Sequence, residues 1–74
     1  MKLRVIKSNM TEIETEKAVV LFSYNTPVAC CMNDGTGFYR TSKNWSRTTS
    51  KHINYWLEGR KATEKPQEFF DKLV

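Results

Sequence analysis

Three apolar runs set close together, "AVVLFSY" at 18–24, "VACCM" at 28–32 and "FYRTS" at 38–42, constrain this chain more than any other feature. Each is rich in β-branched, aromatic or other strand-forming residues, and turn residues separate them, first "NTP" and then "NDGTG". Connections this short join neighbouring antiparallel strands, so the middle of the chain reads as a meander. Asp34-Gly35 and Gly37 supply the positive φ angles that the second hairpin turn needs. Pro27 has no N–H to give to a ladder, which puts it at the start of its strand.

The flanks extend this picture. "KLRVI" at 2–6 alternates polar and apolar residues, with Leu3 and Val5 on one face, as in a half-buried strand. In the polar stretch that follows, Thr11, Ile13 and Thr15 alternate with Glu12, Glu14 and Glu16, which suits either an edge strand or an ordered loop. Ser46 or Thr48 can cap a helix over about 47–58, with Gly59 in the left-handed position that ends it. Thr49, Ile53, Trp56 and Leu57 then share the face that packs on the sheet, while Lys51, Asn54, Tyr55 and Glu58 point away. Pro66 suits a first helical position, and Phe69, Phe70 and Leu73 give a short helix over about 66–73 an apolar face. The expected fold is α+β: a three- or four-stranded antiparallel meander packed by one main helix and a short C-terminal one. With 74 residues, the chain 1–74 makes a single small domain with a thin core.

Several function classes fall away. The longest apolar run, "AVVLF" at 18–22, is far short of a bilayer span, and "MKLRVIKSNM" lacks the apolar stretch of a secretion signal. A cytoplasmic protein with no membrane partner is expected. Cys30 and Cys31 are neighbours whose side chains point to opposite faces of a strand, so they read as reduced thiols, Cys30 as a small buried hydrophobe. A vicinal cysteine pair and one histidine do not make a zinc site, and no cofactor is expected. His52, without paired carboxylates or a Gly-rich phosphate loop elsewhere, does not suggest an enzyme; it reads as a partly buried neighbour of the packed helix face.

The formal net charge of +4 is unevenly spread. Arg40, Lys43, Arg47, Lys51, Arg60 and Lys61 face only Glu58 between residues 38 and 61, whereas residues 8–37 are acidic. Cations crowd the positive end of the helix macrodipole, where carboxylates are favoured. With free N–H groups and the hydroxyls of Ser46, Thr48, Thr49 and Ser50, they would make a cradle for phosphate or carboxylate. DNA or RNA is the partner this suggests: Arg40, Lys43, Arg47 and Lys51 on phosphates with Thr48 beside them, and Asn54 and Tyr55 reaching base edges. The competing reading is an ordinary solvated face, because Ser/Thr-rich helix starts are common capping chemistry. Trp45 reads as cover for the hinge between sheet and helix, and Trp56 as core.

"LFSYNTPVACCM" and "FYRTSKNWSRTTSKHINYWL", within residues 21–57, resemble a family of short bacteriophage and bacterial proteins catalogued as a domain of unknown function. The matching motifs are the Ser-Tyr-x-Thr-Pro-Val-Ala turn, the Tyr-Arg-Thr strand end and the Thr-Thr-x-x-His-Ile-Asn-x-Trp-Leu helix. The resemblance implies a small phage or mobile-element protein of the bacterial cytoplasm, with no established activity to transfer. It points at Tyr39, Arg40, Thr41, Trp45, Ser46, Thr48, Thr49, His52, Asn54 and Trp56 as a signature of folding or of function. Two roles follow as expectations: an accessory or regulatory protein that binds nucleic acid, or a module that binds and modulates or inhibits a host bacterial protein. An open sheet edge would also permit a homodimer.

Overall fold

The computed structural model describes residues 2–73. Five strands follow one another as an antiparallel meander: β1 (Lys2–Lys7), β2 (Met10–Glu14), β3 (Ala18–Ser23), β4 (Thr26–Met32) and β5 (Gly37–Thr41). The chain then forms α1 (Arg47–Leu57), adds β6 (Thr63–Lys65) parallel to β5, and ends in α2 (Gln67–Asp71). The six strands lie in sequence order across one sheet, with β1 and β6 at its edges, so the fold is α+β.

The strand count exceeds the three or four expected. The stretch that could have been strand or loop is β2, an inner strand whose Glu12 and Glu14 lie opposite Arg4 and Lys2 of β1. β6 was unforeseen: its Thr-Glu-Lys sequence has no apolar residue, and its place is set by the crossover through α1 that a parallel strand requires. Turns that need left-handed residues are also filled without glycine, by Asn9 (φ 63°) between β1 and β2 and Tyr24 (φ 60°) between β3 and β4.

The central runs are continuously apolar because both faces of β3 and β4 are covered. Neighbours in a strand point to opposite faces. Leu21 and Ala29 join Met10 and Val28 under Ile53 and Leu57 of α1, while Val20 and Cys30 join Ala18 under Phe70 of α2. A bulge between Leu21 and Phe22 lets Val28 and Ala29 face α1 together. The helices thus sandwich the sheet, each burying the apolar stripe of its own side.

Ser46 caps α1, its Oγ accepting the Thr49 N–H at 3.1 Å. The left-handed residue that ends this helix is Glu58 (φ 53°), one position before the expected Gly59, which continues the reversal at φ 82°. α2 is shorter than expected and Pro66 stands just outside it, as its N-cap. Gln67 anchors that end: its Oε1 accepts from Thr41 Oγ1 (2.9 Å) and Trp45 Nε1 (3.0 Å), and its Nε2 donates to the Pro27 carbonyl (2.7 Å). Trp45 therefore ties the start of α1 to α2 instead of covering the hinge between sheet and helix.

Candidate nucleic-acid interface

The start of α1 is fixed to the sheet by a buried polar knot. Ser23 Oγ lies 3.0 Å from Thr49 Oγ1 and 2.8 Å from His52 Nδ1, and Ser23 and Thr49 are both buried. The ring of Tyr24 packs near that of His52, 6.1 Å between centroids. His52 and Ser23 have no carboxylate among their hydrogen-bond partners in the described residues, and Ser23 is closed to solvent, so the pair positions the helix. Sequence reasoning missed Ser23 because nothing in a strand sequence marks a serine that meets a residue on a distant helix.

This knot narrows the expected anion cradle. Thr49 is buried and Ser46 is occupied as the cap, leaving Thr48 exposed and Ser50 half-buried. What faces solvent is instead a stripe along α1: Arg47, Lys51 and Tyr55 succeed one another at four-residue spacing, with Asn54 beside them. Each such step rises about 6 Å, close to two base-pair steps of duplex DNA.

The remaining cations come from different directions. Lys7, at the end of β1, lays its Nζ 3.7 Å from the centroid of the Tyr55 ring, a contact absent from the sequence-derived set because the two residues are far apart in the chain. Lys43 stands 4.1 Å over the Trp45 ring. Arg40 is half-buried on β5, its Nη1 donating to Asn54 Oδ1 at 3.3 Å, and its buried Nε has no partner among the described residues. Of the seven residues named from sequence, then, Arg47, Thr48, Lys51, Asn54 and Tyr55 share the exposed side of α1; Lys43 lies before the helix, and Arg40 supports it from the sheet.

Ion pairs are few among the described residues, and none lies on this surface. Among the described residues the ion pairs are Arg4–Glu12 at 2.9 Å and Arg60–Glu58 at 3.5 Å. Lys7, Arg40, Lys43, Arg47 and Lys51 meet no carboxylate among the described residues, as is true of Lys2, Lys17, Lys61, Lys65 and Lys72 elsewhere, and the first turn of α1 contains no acid. An open groove of about 550 Å³ beside α1, floored by Val19, Cys31 and Phe38 and walled by Trp56, includes both ion pairs and so presents matched charges. Trp56 is partly buried there, its Nε1 donating to Glu12 Oε1 at 3.0 Å, in keeping with a packing role.

Cys30 and Cys31 are free thiols. Cys30 is enclosed under α2, and burial, then the neighbouring Cys31, pushes its pKa up to about 11. No helix of the described residues is long and apolar enough to cross a membrane.

A family model described as a family of unknown function, DUF8033, matches residues 1–72, a wider span than the motifs at 21–57. No curated protein and no solved structure matches the chain.

Proposed function

The chain belongs to this family of unknown function, and from that premise we propose that it is a small phage-type accessory or regulatory protein of the bacterial cytoplasm that binds nucleic acid through the outward face of α1. One observation carries the reading: the exposed cations Arg47 and Lys51 stand towards the positive end of α1, whose first turn contains no acid. Arg47 and Lys51 are the phosphate contacts, Lys7 and Lys43 extend the positive surface to either side, and Thr48 donates a hydroxyl. Asn54 has its Oδ1 engaged by Arg40, so its amide N–H groups are what it offers to a base edge.

The test is binding to random-sequence duplex DNA and single-stranded RNA over a salt series, for the wild type and for Arg47→Ala/Lys51→Ala. Affinity should fall steeply with salt, and the variant should lower the slope of log K against log salt by about 1 for each cation removed. Affinity that is flat with salt, or unchanged in the variant, refutes the reading.

A second reading, binding and modulation of a host bacterial protein, is supported by a different surface. Leu3 and Val5 of the edge strand β1 are each 66% exposed. Retention of a bacterial protein that survives nuclease treatment would favour it.

A further inference from the structure

β1 forms the outer edge of the sheet, so among the described residues one side of its backbone has no neighbouring strand. It pairs regularly with β2 from Lys2 to Val5, and a bulge at Ile6 ends that stretch. Its side chains divide cleanly. Lys2 and Arg4 lie on the α1 side of the sheet, where Arg4 reaches Glu12, and Leu3 and Val5 lie on the α2 side. α2 covers the inner end of this face, at Val20, and not its edge: Leu3 continues through Ile13 to Val20, Val5 lies beside Thr11 and then Phe22, and Leu3 and Val5 stand open to solvent.

The inner neighbour shows what such a strand accepts. β2 sets Glu14 opposite Lys2, Ile13 opposite Leu3 and Glu12 opposite Arg4, an alternation of acidic and apolar residues. On the outer side the same requirement is unmet. Arg4 gives Nη2 to Glu12 but is still 71% exposed, with further N–H donors and no other carboxylate among the described residues. A second copy pairing there about a twofold axis normal to the sheet would set Lys2 and Arg4 of each chain beside those of the other, on the same face, and like charges across strands are destabilising.

We propose that the outer edge of β1 takes an extended segment of a protein partner whose residues alternate acidic and apolar. Its carboxylates meet Lys2 and Arg4, its apolar side chains lie beside Leu3 and Val5, and its backbone adds a strand to the sheet. This gives the protein-binding reading its chemistry and is independent of the α1 stripe.

The probe is a short labelled peptide alternating Glu with Val, followed by fluorescence anisotropy and by amide chemical shifts of the intact protein. Two controls accompany it: the same composition with Glu and Val in separate blocks, and a Lys–Val alternation. Saturable binding of the Glu–Val peptide alone is expected, with shifts centred on Lys2–Val5. Leu3→Thr/Val5→Thr, which alters exposed side chains and keeps strand propensity, should weaken it about tenfold, a loss of about 1.4 kcal/mol; Arg47→Ala/Lys51→Ala should leave it unchanged. Equal binding of the blocked peptide, shifts centred on α1, or a wild-type dimer that dissociates in Leu3→Thr/Val5→Thr would each overturn the proposal. The broader protein-binding reading fails separately, if immobilised wild-type protein retains no bacterial protein after nuclease treatment.

Discussion

The two helices of this protein obey different rules. α2 has a carboxylate, Glu68, in its first turn, where the macrodipole favours one, and it buries a single large plug, Phe70, beneath the sheet. α1 is longer, capped by Ser46 and tied down by the Ser23–Thr49–His52 knot, yet its first turn has no acid and its exposed face carries Arg47 and Lys51. In α2 the first-turn acid, the buried plug and the hydrogen bonds of Gln67 are accounted for by folding. In α1 the cap, the buried stripe and the knot are accounted for in the same way, and the cations are not. A local rule broken without compensation inside the fold is where a partner is to be sought.

The comparison is tested most severely at the plug of α2. Phe70→Ala removes the largest fully buried side chain and should cost about 3–5 kcal/mol in denaturant unfolding. Against roughly 4–11 kcal/mol for a domain of this length, that removes from about a quarter to all of the stability. A loss below about 1 kcal/mol would mean that α2 is an appendage and the α1 side of the sheet folds without it.

The thiol under α2 gives the next largest effect. The folded-state pKa of Cys30 is raised from its ordinary 9.0 to about 11, so this group contributes nothing adverse below pH 9 and stability is lost as pH rises between those values. The loss is about 1.4 kcal/mol per pH unit across that window. Thermal unfolding of the wild type and of Cys30→Ala from pH 8 to 11 should diverge in slope. Parallel curves would mean that Cys30 is solvated in the folded chain.

The knot under α1 comes third. Ser23→Ala leaves the His52 Nδ1 and one side of Thr49 Oγ1 without a partner, at a cost of about 1–3 kcal/mol. The same substitution should not change the salt dependence of nucleic-acid binding, because it touches none of the exposed cations. A changed slope would place His52 in the interface.

The apolar runs of β3 to β5 were legible from strand-forming residues between turns, and the stripe of Thr49, Ile53 and Leu57 from helical periodicity. The alternation of β1 marked a strand but not its burial, since Leu3 and Val5, expected on a half-buried face, are each 66% exposed at the sheet edge. β6 was not, since Thr63, Glu64 and Lys65 carry no periodic signal and owe their pairing to β5 and the crossover. β2 was ambiguous for a related reason: its glutamates make sense only opposite Lys2 and Arg4, in a register that the sequence does not contain. Within the candidate interface, the helix spacing of Arg47, Lys51 and Tyr55 could be read directly. The arrival of Lys7 over Tyr55, the retreat of Arg40 towards Asn54 and the consumption of Thr49 by Ser23 are tertiary events.

The smallest effect separates folding from function most sharply. Arg47 occupies the first turn of α1, exposed and without an ion-pair partner among the described residues, where a cation opposes the macrodipole and a carboxylate would complement it. Arg47→Glu should therefore stabilise the protein by about 0.3–1 kcal/mol at low ionic strength, an increment that fades as salt is added. The same change reverses a charge at the centre of the proposed phosphate contacts, so affinity for duplex DNA and for RNA should fall while stability rises. If stability rises and binding is unaffected, the cations of α1 are a solvated face and the natural sequence forgoes that stability for another reason. If stability falls, the residue has a packing or pairing role, and the contrast with α2 loses its basis. Opposite signs in the two measurements are what an anion-binding helix requires, because the features that disfavour Arg47 in the free protein are those a phosphate would relieve.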